Sequence, residues 1–493
     1  MTHSDPNPPR QKLEVSGESF AEMLKTILPH LSTHLDSLPE QPTWSTENFQ
    51  EVLSSFDLSV GEREQSLEEI VSFLFQSAIP CTFNTASPGY LAYIPGGGLP
   101  QSGIADLIST VTNRYVGVWA AAPVLANIEQ EVIRWFCDLF GWPRNSGGIL
   151  TSGGSLANWT ALVAARIARL GEEFLDGVVY CSDQAHHCIA KAARLCGIQS
   201  AHLRRIPTDH RFRMDPLELE RAIRRDRECG RRPFFVVANG GSTNSGAVDP
   251  LPEIRRVCSE QEVWFHVDAA YGGFFFLTER GKEVLSGMET ADSIVIDPHK
   301  GMFLPYGTGA LLVRDSQWLA DAFRVDADYL PDSQDEVDKT DFHEISPELS
   351  RDFRGLRIWL PLKIHGVRAF REQLDEKLDL THWIHQQLKG IPLEGCKLEM
   401  VAEPQLSLLA FRIVGADDEA WEEAREEALN RELLSRINAH RRIYLTSTRL
   451  KGKFVIRICV LSFRTHLDRM RECLEIVSSE IRSLVSRRAE SKG

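Results

Sequence analysis

A chain of 493 residues with 43% hydrophobic and 25% charged content can bury a large core and sits near the globular average, which excludes wholesale disorder and collagen-like classes. Lys and Arg number 55 against 69 Asp and Glu, a net charge of −14, which argues against broad binding to nucleic acid or anionic membranes, since both need a basic face. No apolar run of transmembrane length occurs, the N-terminus lacks an apolar signal core, and the ten cysteines form no CxxC pair or Cys/His metal spacing, so the expectation is a soluble, cytoplasmic α/β protein with no membrane, no metal and inert thiols.

Residues 1–16 are polar, carry Pro6, Pro8 and Pro9, and read as frayed. From 20 to 75 the spacing is helical: Leu24, Ile27, Leu28 and Leu31 share one face, as do Leu67, Ile70, Val71 and Leu74, with a polar loop at 38–48 between them. Ser87-Pro88-Gly89 and Pro95-Gly96-Gly97-Gly98 are loop chemistry. A helix is predicted at 122–140, stopped by Gly141 and Pro143. From 147 to 315 short apolar runs at 178–181, 234–238, 263–267, 293–296 and 310–313 alternate with helical stretches near 155–170, 187–197, 216–228 and 251–260. That alternation predicts a mostly parallel sheet with helices on both faces. Residues 316–360 are loop-rich and acidic. A helix at 362–390 leads to a small C-terminal α+β unit, with strands at 406–411 and 454–459 and helices at 417–438 and 466–486.

The densest chemistry follows the run at 293–296, in Asp297-Pro298-His299-Lys300-Gly301. In an open parallel sheet, ligands sit outside the carboxyl ends of the strands. Desolvation at such a mouth favours a neutral lysine amine, which can attack a carbonyl and form a Schiff base. A solvated loop lysine is the bland alternative, and the surrounding residues weigh against it. Asp268 ends the apolar run at 263–267, where a buried carboxylate needs a cation or donors, and Ala269, Ala270, Gly272 and Gly273 leave room for something flat. Ser152-Gly153-Gly154-Ser155 opens a helix, where free backbone N–H groups and the helix dipole suit an anion. His186 and His187 follow the strand at 178–181, where one imidazole can lie flat on an aromatic ring, and Thr243 stands in a small polar cluster after the strand at 234–238. These features converge on one rim and match pyridoxal 5'-phosphate better than a nucleotide or a metal.

With these residues in place, the sequence resembles the group II pyridoxal-phosphate-dependent amino-acid decarboxylases, of the aromatic-L-amino-acid decarboxylase-like type. The resemblance is carried by Asp183-Gln184-Ala185-His186, His266-Val267-Asp268-Ala269-Ala270-Tyr271 and Asp297-Pro298-His299-Lys300, and runs from about Asp57 to Arg482. It implies a fold-type I, aspartate-aminotransferase-like enzyme: an N-terminal helical segment (1–88) packing on a homodimer partner, a large cofactor domain (89–380) and a small C-terminal domain (381–493). It implies a PLP-dependent carboxy-lyase that decarboxylates an L-amino acid to the amine and CO₂, through a Lys300 Schiff base and a quinonoid intermediate. Asp268 would meet the pyridine nitrogen, Ala270 and His186 the two ring faces, and Gly154 and Ser155 the phosphate. Thr243, Asp297 and His299 would contact the cofactor, with Asp297 standing where many members have asparagine.

Counting back from Phe353-Arg354-Gly355-Leu356 puts Phe342, followed by His343, where many members carry a proton-donating loop tyrosine. Phenylalanine has no proton to give. In plant relatives that exchange accompanies oxygen-dependent conversion of the amino acid to an aldehyde. An amine-forming decarboxylase, with His343 or another group as donor, is therefore set against oxidative deamination to an aldehyde and against a non-catalytic paralogue. Ile94, Pro95, Gly96 and Trp119 are the expected substrate-pocket residues, and an aromatic side chain is the expected substrate class.

Overall fold

The computed structural model describes residues 13–325, 340–416 and 421–490. The first stretch forms α1 (Gly17–Ser37), α2 (Phe49–Ser54) and α3 (Leu67–Phe73). Ser16 caps α1 by accepting from the Ser19 N–H, and Ser66 with Glu69 closes a capping box on α3. The helical reading of 20–75 therefore holds in three pieces. The sequence pattern does not reveal α4 (Pro100–Thr112), which starts on a proline and ends at Asn113 in the left-handed region. α5 (Pro123–Leu139) lies where the periodicity puts it.

A seven-stranded sheet follows. Its strands are β1 (Gly147–Thr151), β2 (Gly177–Ser182), β3 (Leu203–Ile206), β4 (Arg232–Asn239), β5 (Trp264–Asp268), β6 (Ser293–Ile296) and β7 (Gly309–Val313). Between them run α6 (Gly154–Leu170), α7 (Cys188–Leu195), α8 (Pro216–Glu228), α9 (Leu251–Glu260), α10 (Glu279–Val284) and the one-turn α11 (Pro298–Gly301). The spatial order is β1-β7-β6-β5-β4-β2-β3. All pairs from β3 to β6 are parallel, and β7 is antiparallel to both β6 and β1. Two reversals restore direction, so β1 ends on the same rim as β2, β4, β5 and β6.

Strand alternation fills both faces. Val236 and Ala238 of β4 join Phe136 of α5, Ile223 of α8 and Ile254 of α9 in one core. Phe235 and Val237 join Ala161 of α6 and Ile189 of α7 in the other. Burial on both faces is the reason these strands read as unbroken apolar runs.

Beyond α12 (Gln317–Phe323), the acidic stretch at 331–336 lies outside the described residues. α13 (Arg354–Lys389) starts before the predicted 362 and is interrupted at Gly366, whose φ of +69° only glycine adopts easily. Its second part joins two cores, giving Phe370 and Leu374 to the large one and Leu380, Ile384 and Leu388 to a third. That third core packs β8 (Cys396–Met400), β9 (Leu408–Gly415), β10 (Thr446–Leu450) and β11 (Lys453–Cys459) against α14 (Glu423–Ala439) and α15 (Leu467–Glu490). The small sheet is antiparallel, in the order β10-β11-β9-β8. Its outer strands β8 and β10 are half-buried and polar, so they carry no apolar run to read.

Candidate active site

The shared rim opens into a cavity of about 290 Å³ that takes in Gly154, His186, Thr243, Asp268, Asp297 and Lys300. Lys300 sits on α11, directly after β6. Its Nζ lies 2.9 Å from Asp297 Oδ2. Burial alone pushes this amine down, but Asp297 and then Asp268 outweigh it and hold Lys300 above the ordinary lysine value. That corrects the expectation of a neutral amine drawn from desolvation. The two carboxylates come from the same turn, Asp297, and from the end of the neighbouring strand β5, Asp268.

Asp268, at the end of β5, is 7% exposed. Burial raises its pKa, opposed by the Lys300 charge and by donors. The Ala270 N–H donates to Oδ1 at 3.2 Å, and the Asn158 amide donates to Oδ2 at 3.2 Å. Asp297 keeps one buried oxygen, Oδ1, with no hydrogen-bond partner. Next to it, His299 Nδ1 donates to the Thr308 carbonyl at 2.6 Å. Burial lowers the His299 pKa, with the Asp297 charge acting the other way.

The opposite wall is the start of α6. No side chain caps this helix, and Gly153, Gly154, Ser155 and Leu156 at its start line the cavity. A Cβ at Gly154 would stand 3.0 Å from Asp297 Oδ2 and 3.2 Å from the Ala270 Cβ, so glycine is what lets the helix end come this close. His186 is half-buried, and burial, helped by the charges of His187 and Lys300, pushes it down to about 4. Its Nδ1 accepts the Cys188 N–H at 3.3 Å, which leaves the proton of the neutral ring on Nε2. Ser155, Ala270, Thr243 and His299 also line the cavity, and the Thr243 carbonyl is held by Arg457 Nη2 at 2.5 Å.

Asn158, Cys188 and Asn239 line the same space and were not singled out from the sequence. Asn158 could have been found: it is a polar residue on the buried face of α6, one turn after Gly154.

Other sequence candidates lie elsewhere. Ile94 and Pro95 are buried, Trp119 packs on the core and donates from Nε1 to Asn127 Oδ1, and none of the three lines the cavity. Gly96 sits behind His299, whose carbonyl oxygen would be 2.2 Å from a Cβ there, and it faces a separate apolar cavity of about 850 Å³. Phe342 and His343 are not at the cavity either. Phe342 is 1% exposed in the large core, with the Arg351 guanidinium 4.6 Å from its ring centroid, and the His343 N–H donates to the Gly117 carbonyl. The count back from residue 353 therefore lands on a ring buried in the large core of this chain, outside the lining of the Lys300 cavity.

Residues 50–414 match the family model described as the pyridoxal-dependent decarboxylase conserved domain. Among curated proteins, the chain is 32% identical to an aromatic-L-amino-acid decarboxylase of Bacillus atrophaeus, over 94% of this chain and 96% of that one. It is 28% identical to a phenylacetaldehyde synthase of Arabidopsis thaliana, over 86% of this chain and 87% of the other. Among solved structures, Oryza sativa TDC with PLP and tryptamine superposes with a TM-score of 0.90 at 26% identity, covering 96% of this chain and 99% of that one.

Proposed function

The chain belongs to the pyridoxal-dependent decarboxylase family, and from that premise we propose that it decarboxylates an aromatic L-amino acid to the corresponding amine at the cavity around Lys300. It is a lyase with pyridoxal 5'-phosphate as cofactor. The aromatic substrate class is supported by the names of the relatives that match along nearly the whole chain.

The cavity suits the cofactor on three observations. The uncapped start of α6, opened by Gly154, offers backbone donors to a phosphate, with Ser155 beside them. Asp268 is a buried carboxylate held by two donors, and it suits a protonated pyridine nitrogen. Lys300 brings an amine into the same space. Bound there, pyridoxal phosphate supplies a reactive carbonyl and an electron sink for the pair left when carbon dioxide departs.

The chain's own groups do the rest. Lys300 would provide the amine and, with Asp297 2.9 Å from its Nζ, could hold a proton for the reaction. Asp268 would hold the cofactor's pyridine nitrogen and favour its protonated form. His186, neutral above about pH 4, covers a flat ring without adding charge. The single observation that carries this reading is the convergence of Lys300, Asp268 and the bare start of α6 on one cavity.

The aldehyde alternative rests on Phe342, which has no proton to give, and on the 28% identity to a phenylacetaldehyde synthase. The test is a panel of aromatic and acidic amino acids with CO₂, amine, aldehyde and oxygen uptake all quantified. Amine and CO₂ in equal amounts, without oxygen uptake, is the expected result; aldehyde with oxygen consumption overturns it. Phe342→Tyr is expected to suppress any aldehyde that forms.

A homodimer is part of the proposal. Leu28, Leu31 and Leu35 of α1 and Ile104, Leu107 and Ile108 of α4 are exposed, and apolar residues of both helices border the 850 Å³ cavity. We assign 1–88 to the partner-packing segment, 89–380 to the cofactor domain and 381–493 to the small domain, with α13 bridging the last two. The cytoplasm is the proposed compartment, supported by ten free and mostly buried thiols.

A further inference from the structure

We propose that His266 and Asn158 are positioning residues, the last links of a buried hydrogen-bond chain that fixes the Asp268 carboxylate. Four contacts make the chain. Trp264 Nε1 lies 2.8 Å from Ser293 Oγ, and Ser293 Oγ lies 2.7 Å from His266 Nδ1. His266 Nε2 lies 2.8 Å from Asn158 Oδ1, and Asn158 Nδ2 lies 3.2 Å from Asp268 Oδ2. Trp264, Ser293 and His266 are 0% exposed and Asn158 is 2% exposed.

Donor chemistry allows one direction only. The indole N–H can only donate, so Ser293 Oγ accepts it and turns its own proton to His266 Nδ1. At the far end, the Asn158 amide nitrogen faces the acceptors Asp268 Oδ2, the Gly154 carbonyl at 2.8 Å and, more weakly, Cys188 Sγ at 3.6 Å. A flipped amide would set oxygen against oxygen at the first two, so Nδ2 donates and Oδ1 accepts. His266 must then carry its proton on Nε2. One neutral tautomer satisfies both neighbours, and burial, which pushes His266 down to about 3, keeps it neutral. The ring is stacked on Phe235 with centroids 5.2 Å apart, so it cannot turn away.

Every donor in the row therefore points towards Asp268. Burial works against the charged form of this carboxyl; a polarised donor chain favours it and sets its orientation. Asn158 also ties Asp268 to the first turn of α6, so the two ends proposed to hold the cofactor share one side chain. This inference rests on the reading that Asp268 meets the pyridine nitrogen.

The experiment titrates pyridoxal phosphate into apo-protein and records the dissociation constant and the absorption spectrum of the loaded protein. It compares wild type, His266→Phe, His266→Gln, Asn158→Ala and Asp268→Asn. His266→Phe and Asn158→Ala are expected to bind roughly tenfold more weakly or worse, with a shifted cofactor band. His266→Gln, which can still present an N–H to Asn158, should recover most of that loss. His266→Phe added to Asp268→Asn should cost nothing further. Wild-type affinity and spectrum in His266→Phe, alongside a damaged Asp268→Asn, overturn the chain and leave the site reading standing. An undamaged Asp268→Asn overturns the site reading and this inference with it. Should the His266 variants fail to fold, nitrogen-15 NMR of the wild-type protein decides: a neutral ring protonated on Nε2 is expected, and a proton on Nδ1 refutes the chain.

Discussion

Lys300 and Asp297 are three residues apart on one tight turn, and their contact determines how the lysine is charged. With Asp297 2.9 Å away, the amine is held protonated, whereas uptake of a carbonyl cofactor needs it neutral. Asp297→Asn removes the nearest opposing charge and leaves burial to act, so the lysine pKa falls. Stopped-flow uptake of pyridoxal phosphate by this variant's apo-protein is expected to be faster at pH 7 than in wild type, with its pH–rate profile displaced to lower pH. A profile unchanged or displaced upward refutes the assignment. Lys300→Ala is expected to abolish the near-visible cofactor band and to lower kcat/KM by on the order of 10⁴-fold.

At the scale of elements, the segment entering α13 is pinned to α5. Arg351 Nη2 lies 2.6 Å from Glu129 Oε1, both side chains are almost wholly buried, and Glu129 also accepts the Gly355 N–H at 3.0 Å. Arg354 adds contacts to Glu348 and to the Leu150 carbonyl at the end of β1. Phe342 lies under the Arg351 guanidinium, so the ring is packed against the same ion pair. Removing one partner of a buried ion pair strands the other charge. Glu129→Ala is therefore expected to destabilise the protein by about 3–5 kcal/mol, measured as a lowered thermal midpoint. A midpoint within a degree of wild type would show that the pair anchors nothing.

For the whole molecule, stability should fall on acidification. His266 and His186 are held at about 3 and about 4, below the ordinary 6.5. Between pH 6.5 and those values the unfolded chain takes up protons that the folded chain refuses, so stability is full above 6.5 and drains as pH drops. Each such histidine adds a slope of up to about 1.4 kcal/mol per pH unit. Asp249, raised to about 6 by burial, works in the opposite sense between its ordinary 3.8 and 6. Thermal midpoints from pH 7 to pH 5 are expected to fall less steeply in His266→Gln than in wild type; equal slopes would place His266 in contact with solvent or a compensating charge. The exposed apolar faces of α1 and α4 also belong to this scale. Light scattering should return a dimer for wild type and a smaller species for Leu31→Glu with Ile104→Glu, and a wild-type monomer refutes the assembly.

The sequence by itself determined the layered α/β plan and the rim on which the chemistry sits. Strands buried on both faces leave unbroken apolar runs, and Lys300, Asp268, His186 and Gly154 each adjoin such a run or the helix it feeds. Strands with polar or half-buried residues, such as β8 and β10, carried no such signal. Only the tertiary structure decided the charge of Lys300, the place of Phe342 and the role of Asn158. For Asn158 and for the segment that holds Phe342 the partner is distant in the chain: Asp268 lies 110 residues from Asn158, and Glu129 lies more than 200 residues from Arg351. Periodicity reports what a residue's own strand or helix buries, whereas pKa and hydrogen-bond direction are set by groups that meet only after the chain has folded.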